Sequence, residues 1–212
     1  MFQDRIDAGE QLTKKLLNYK DQEDTIVVGL PRGGVPVAYE ISRNLNLPLD
    51  VVCPRKIGAP SNKEFAIGAI TETGEGIFDT HTIDQLGIPQ DYIDEEVSKE
   101  KKRAQHRLDI YRKEMPPRNL KGKTVLIIDD GLATGSTMKA AIQSIRAEGA
   151  DEIIVAIPVS PPETLKEIRS MVDEVICLDA PGYFQAVGQF YIDFSPTQDE
   201  EVIALMSLSS SE

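Results

Sequence analysis

The chain reads as an α/β protein built on a doubly wound, mostly parallel sheet, with a small hood and a helical insertion. Three observations point there. Short apolar runs recur at 25–30, 49–54, 125–128, 152–159 and 174–178, the length of strands buried on both faces. Stretches with helical apolar spacing separate them, such as Ala141, Ile142 and Ile145. The residues richest in chemistry, Arg32, Asp129 and Thr134, all follow strands, and such sheets bind ligands beyond the carboxyl ends of their strands.

At 212 residues the chain is long enough for a full core, and it reads as a single domain over 1–212. Its core covers about 20–180, with the insertion at about 77–115 and the hood at about 179–206. The excess of 35 acidic over 23 basic residues gives a net charge of −12, which opposes unspecific binding to nucleic acid or to anionic membranes. An anionic substrate must then be drawn by local donors and metal. Cys53 and Cys177 sit in apolar runs and read as buried free thiols of a reducing compartment. No leader-like apolar core follows Met1 and no run approaches a membrane span, so the expected location is cytoplasmic.

Taken in order, residues 4–20 place Ile6, Leu12, Leu16 and Leu17 on one stripe of an amphipathic helix. Thr25 to Leu30 is a buried strand, followed by the turn Pro31-Arg32-Gly33-Gly34-Val35-Pro36 and a helix through about Asn46. A second strand ends at Arg55-Lys56. The Gly, Pro, Ser and Asn within 55–64 mark a mobile loop carrying Arg55, Lys56 and Lys63, and Phe65 to Ile70 reads as the third strand. Gly76-Ile77-Phe78 adds a short strand. From Asp91, Ile93, Val97, Ala104, Leu108 and Tyr111 form one stripe of a long helix, which is either a crossover on the sheet or an arm serving as lid or homodimer contact. Its basic residues, Lys99 to Arg107, alternate with Glu95, Glu96, Glu100 and Asp109, as on a solvated helix face. The strand at 125–128 leads to a helix stopped by Gly149. Pro161-Pro162-Glu163 opens another, between the strands at 152–159 and 174–178.

The organising stretch is Val125-Leu126-Ile127-Ile128-Asp129-Asp130-Gly131-Leu132-Ala133-Thr134-Gly135-Ser136-Thr137. A helix start leaves unpaired N–H groups and a dipole favouring anions, and a Thr-Gly-Ser-Thr turn adds hydroxyl donors around a phosphate. Two carboxylates cannot ligate that phosphate. They suit the vicinal hydroxyls of an attached sugar, and can help place a hydrated metal ion. A sugar 5-phosphate satisfies both halves.

These residues resemble the signature of type I phosphoribosyltransferases: four apolar residues, an acidic pair, then a small residue before Thr-Gly-x-Thr. The resemblance implies that Asp129 and Asp130 hold the ribose hydroxyls of phosphoribosyl pyrophosphate, and help hold a magnesium ion through water or through the ribose. It implies that Ala133, Thr134, Gly135, Ser136 and Thr137 cradle the 5-phosphate. Pro31, Arg32, Gly33 and Gly34 fit the family's pyrophosphate loop, where paired glycines let amides approach the ligand and Arg32 offers a forked cation. They form no Gly-x-Gly-x-x-Gly dinucleotide fingerprint.

Lys56 and Lys63, or Arg55, match the family's flexible catalytic loop, stabilising charge on the leaving group. Family members that use six-oxopurines often carry an Asp where Ala133 stands. Its absence resembles adenine- and orotate-type members and leaves Glu64 as the replacement base. Tyr183 and Phe184, in the 179–191 stretch of the hood that holds four of the twelve aromatics, match the position that stacks the base, and the competing role is the hood's own packing. The implied activity is magnesium-dependent phosphoribosyl transfer to a nitrogen base. A nucleotide-sensing regulator that keeps the donor site without chemistry is the alternative. The sequence does not name the acceptor.

Overall fold

The computed structural model describes residues 1–74, 76–113 and 115–209, with Glu64 described by its backbone alone. In chain order the elements are α1 (Arg5–Thr13), β1 (Thr25–Gly29), α2 (Gly34–Leu45), β2 (Leu49–Val51), β3 (Arg55–Ala59), β4 (Asn62–Ile70), β5 (Gly76–Phe78), α3 (Thr80–Gln85) and α4 (Gln90–Tyr111). There follow β6 (Thr124–Ile128), α5 (Ser136–Ala147), β7 (Glu152–Val159), α6 (Pro162–Arg169), β8 (Glu174–Asp179) and α7 (Asp199–Ser209).

Five strands form a parallel sheet in the order β2-β1-β6-β7-β8. Alternation along each strand sends side chains to opposite faces, and both faces are covered. Val27, Leu126, Ile128 and Ile154 meet Leu12 of α1, Ile41 and Leu45 of α2, Tyr111 of α4, and Val202 and Met206 of α7. Ile26, Val125, Ile127 and Val155 meet Met138, Ile142 and Ile145 of α5 and Leu165 and Ile168 of α6. Each fully buried aliphatic side chain there is worth about 1.5–3 kcal/mol relative to exposure. Gly149, at φ +85°, follows α5 as the expected stop.

Several local expectations are corrected. The amphipathic helix at 4–20 ends at Thr13, and a short 3₁₀ turn covers Leu17–Tyr19. Leu12 and Leu16 are fully buried, but Ile6 and Leu17 are more than half exposed, so the stripe is narrower than the spacing suggested. The segment read as a mobile loop is a hairpin: β3 pairs antiparallel with β4, and β4 with β5, as a second, three-stranded sheet. The third strand therefore lies outside the parallel sheet and begins at Asn62. Gly58 permits the irregular register beneath that turn, because a Cβ there would fall 2.2 Å from the Lys63 carbonyl oxygen.

The long helix is real, about 33 Å at 1.5 Å per residue over its 22 residues. Its stripe packs Ile93 onto Ile57, Ile67 and Ile70 of the small sheet, and Ala104 and Tyr111 onto the main core. It is not a wholly solvated face, since Glu96 and Glu100 are buried. Helix α7 joins α2 and the main core rather than the hood. Both cysteines are free, Cys53 buried just past β2 and Cys177 only half-buried on the edge strand β8. Among the described residues, no helix is long and apolar enough to cross a membrane.

Arg118 bolts the two sheets together. Its guanidinium donates to Glu72 after β4 (2.7 Å), to both carboxylate oxygens of Glu148 after α5 (2.6 and 2.9 Å), and to the Val51 carbonyl (2.8 Å). The other oxygen of Glu72 accepts the Cys53 amide at 3.0 Å, so every partner of this buried cation is itself held.

Candidate functional site

Parallel pairing of β1 with β6 brings Gly29 opposite Ile128, so the loops after both strands leave the sheet side by side. Their contact leaves no room for side chains at the paired glycines. A Cβ on Gly34 would fall 2.8 Å from the Ile128 carbonyl oxygen and 2.9 Å from Asp129 Cα. One on Gly33 would fall 1.9 Å from Asp130 Oδ2. Gly33 and Gly34 thus lie directly against the acidic pair, and the Pro31–Arg32 peptide just before them is cis. Arg32 is half-exposed, with Nη1 4.0 Å from Asp199 Oδ1.

The carboxylates are held differently. Asp129 Oδ1 accepts the backbone N–H of Asp130 at 2.8 Å. Asp130 Oδ2 accepts Nε–H of Arg5 at 2.8 Å. Arg5 also donates to the Ser195 carbonyl (2.8 Å) and lies 4.0 Å over the Phe194 ring. Tyr191 donates its hydroxyl to the Asp130 carbonyl at 2.6 Å. Burial, together with the neighbouring charge of Asp130, holds the Asp129 carboxyl well above the usual carboxylate range. Burial raises Asp130 as well, with the Arg5 cation working against it. Nothing local marks Arg5 in the sequence, 125 residues from its partner.

The next turn leaves the first amides of α5 without a side-chain cap. Gly131 (φ +150°) and Gly135 (φ +71°) take backbone conformations that favour glycine. Gly135 is the N-cap of α5 and has no side chain to occupy the helix's first amides. Thr134 and Ser136 hydroxyls lie 3.2 Å apart at the mouth, and Thr137 follows in the first turn. Ala133 and Thr134 are exposed, and Ser136 and Thr137 are half-buried. From α6, Thr164 donates to the Ala133 carbonyl at 2.6 Å, and its methyl would lie 2.9 Å from a Cβ on Gly135. Thr164 is a support that sequence reasoning missed, and its place two residues past Pro162 was the available signal.

Thr134, Ser136 and Thr164 open into a cleft of about 650 Å³ shared with Lys56 and Phe65 of the hairpin. Lys56 thus faces the turn. Lys63 is tied to helix α4, with Nζ 3.0 Å from Glu96, 2.6 Å from the Tyr92 hydroxyl and 4.7 Å over that ring. The Glu64 side chain, assigned the base role, lies outside the described residues. In the hood, Phe184 stacks on Phe190 at 5.2 Å and packs with Val187 and Tyr191, so one face of its ring is taken. Tyr183 is 69% exposed, its hydroxyl hydrogen-bonded to Gln185.

No group of three or more His, Cys, Asp or Glu side chains among the described residues forms a metal site. Two adjacent carboxylates nevertheless suit Mg²⁺, which commonly binds one or two carboxylates and completes its octahedron with water and substrate phosphates. Asp129 and Asp130 therefore fit that ion only together with a ligand.

Comparison with known proteins bears on this geometry. A family model described as a phosphoribosyl transferase domain matches residues 2–195. Two Mycobacterium tuberculosis proteins, named as candidate phosphoribosyl transferases, are 40% identical over 206 residues, covering 97% of this chain and 46% of theirs. The chain spans about half the length of these curated relatives. The crystal structure of TT1426 from Thermus thermophilus superposes with a TM-score of 0.82 at 40% identity, covering 97% of each chain. The transcriptional regulator GfcR of Methanocella arvoryzae is 25% identical over 146 residues, covering 69% of this chain and 51% of that protein. A family match running through both sheets and through the loops after β1 and β6 leaves one assignment: the chain belongs to the phosphoribosyltransferase family.

Proposed function

We propose that this protein transfers the 5-phosphoribosyl group of phosphoribosyl pyrophosphate to a nitrogen of a nucleobase-like acceptor, releasing pyrophosphate with magnesium bound. The observation that carries this reading is the seating of Gly33 and Gly34 against Asp129 and Asp130, one loop's width from the amide-lined turn at 133–137. Such spacing suits a donor with a pentose between two phosphate groups.

The chain's own groups divide the work. The amides and hydroxyls of the 133–137 turn hold the 5-phosphate at the start of α5. Asp129 and Asp130 accept hydrogen bonds from the ribose 2- and 3-hydroxyls. Arg5 balances the Asp130 charge and fixes that carboxylate against the hood. Arg32 and the Gly33-Gly34 amides face the pyrophosphate, and Lys56 supplies a cation where charge builds as the glycosidic C–O bond breaks. Magnesium, when bound, supplies charge neutralisation on the leaving group. Ala133 offers no acid–base group, so proton removal from the acceptor falls to a residue outside the signature or to solvent.

The deciding experiment incubates protein, magnesium and donor with a panel of nucleobases and follows pyrophosphate release. Asp130→Asn is expected to weaken donor binding by about 1.5–3 kcal/mol, the scale of a hydrogen bond to a charged group. Unchanged calorimetric affinity in that variant would sink the ribose assignment.

A second reading, a donor- or nucleotide-sensing regulator, draws on the named regulator among the relatives. Donor binding without pyrophosphate release for any acceptor would favour it. Filter binding with RNA, with and without nucleotide, tests its nucleic-acid version, and the −12 charge predicts no retention at any salt concentration.

A further inference from the structure

Between the β3–β4 hairpin and helix α4 lies a hollow of about 510 Å³, within the range of small-molecule sites. Six cations line it: Arg55, Lys56, Lys63, Lys99, Arg103 and Arg107. Two carboxylates, Glu96 and Glu100, face them. Even with Lys56 left aside, five cations face these two lining carboxylates in a protein whose net charge is −12. Lys99, Arg103 and Arg107 repeat at every fourth residue, which puts them in one row on α4.

The carboxylates beneath this row are buried and doubly used. Glu96 takes Lys63 (3.0 Å) and Lys99 (3.2 Å), and Glu100 takes Arg55 (2.8 Å) and Arg103 (2.5 Å). Each carboxylate thus sets two cations side by side. Arg55 spends its Nε–H and Arg103 one terminal nitrogen, so each fork keeps further donors. Arg107 makes no ion pair among the described residues.

We propose that this hollow is an accessory binding site for a linear polyphosphate chain of three or more phosphates, occupied at the same time as the sugar-phosphate cradle. Like charges crowded in one concavity repel one another, and a bound polyanion relieves that repulsion. A donor diphosphate chelated by a divalent ion retains only part of its charge and leaves the α4 row unmatched. The hollow meets the cradle at Pro31 and Thr137 and shares Lys56 with the cleft beside it, while Lys99, Arg103 and Arg107 lie outside that cleft. Free polyphosphate and the terminal chain of a nucleoside triphosphate share this chemistry.

The test is titration calorimetry with inorganic tripolyphosphate in divalent-free buffer, on the wild-type chain, an Arg103→Gln/Arg107→Gln double variant and Thr134→Val. The double variant is expected to lose at least tenfold in tripolyphosphate affinity and to keep its ribose 5-phosphate affinity. Thr134→Val is expected to do the reverse. Lys99→Gln, at a half-exposed position, serves as an independent probe if the double variant misfolds, with a smaller loss expected. Unchanged tripolyphosphate affinity in these α4 variants, or its displacement by saturating ribose 5-phosphate, overturns the proposal. Repeating the titration with ATP identifies the source: tighter binding than tripolyphosphate, with the same sensitivity, assigns the chain to a nucleotide, and equal or weaker binding to inorganic polyphosphate. The inference does not rest on the transferase reading, because a wild-type protein that ignores ribose 5-phosphate but binds tripolyphosphate fails that reading and keeps this one.

Discussion

The end of the parallel sheet and the rim formed by the hairpin and α4 are the two proposed anion sites, and they are made of different material. At the sheet end the donors are backbone amides and short hydroxyls, fixed by strand pairing and by glycines packed onto carboxylates. At the rim they are lysines and arginines, ordered by ion pairs to two glutamates. Amides fixed in a turn are already ordered before the ligand arrives. Long side chains lose rotamer freedom on binding, and their attraction weakens as salt is added. The cradle is thus suited to recognising one shape, and the rim to responding to charge and ionic strength.

The largest expected effect comes from the bolt between the two regions. Arg118→Met leaves Glu72 and Glu148 without their buried cation, and removing one partner of such a network costs about 3–5 kcal/mol. Urea denaturation measures it. A loss below about 1 kcal/mol, the scale of an exposed pair, would mean that the two sheets are not coupled through this residue.

Gly33→Ala separates the regions functionally. The added carbon must displace the Asp130 carboxylate from Arg5, so ribose 5-phosphate binding should fall by about 1.5–3 kcal/mol, a charge-assisted hydrogen bond's worth. Calorimetry on this variant beside Arg103→Gln draws the contrast, the second being expected to bind ribose 5-phosphate as the parent does. Equal losses in both would erase the distinction between cradle and rim.

That contrast also explains what was legible in the sequence. The cradle was readable because strand, acidic pair, glycine turn and helix start are contiguous from Val125 to Thr137, and local spacing carries their geometry. The rim was not. Gly, Pro, Ser and Asn signalled a loop at 55–64, whereas antiparallel pairing of β3 with β4 and packing of Ile57 on Ile93 made the segment a sheet. Glu96 and Glu100 matched a solvated helix by composition, yet both are buried and take Lys63 and Arg55 from the hairpin. Arg5, Tyr191 and Phe194 meet the acidic pair from opposite ends of the chain, a convergence that no local pattern encodes.

Protonation sharpens the same comparison at an intermediate scale. The carboxyls of Asp129 and Asp130 are raised by burial, so the folded protein binds protons there more tightly than the unfolded chain does. Their contribution to stability is then fully present below the ordinary carboxylate range and is lost as pH rises through the raised folded values. On the proposed donor site, ligand binding runs the other way, because magnesium and ribose hydroxyls would favour the ionised pair. Donor affinity with magnesium should rise with pH, by up to about tenfold per unit for one released proton. Calorimetry in buffers of different ionisation enthalpy detects that proton. Binding with no buffer dependence would mean that the pair is already ionised in the free protein.

The smallest effect is expected at Lys63. Its ammonium contacts Glu96, the Tyr92 hydroxyl and the Tyr92 ring, a geometry that invites a structural role. The side chain is 53% exposed, however, and Glu96 retains Lys99 at 3.2 Å when Lys63 is replaced. Solvent screening and the remaining partner both argue that Lys63→Gln leaves the urea midpoint unchanged within error. Tripolyphosphate binding should nevertheless weaken, since a cation is lost from the hollow. A shift in the midpoint without a shift in binding would reverse the assignment and make this lysine a strut of the hairpin.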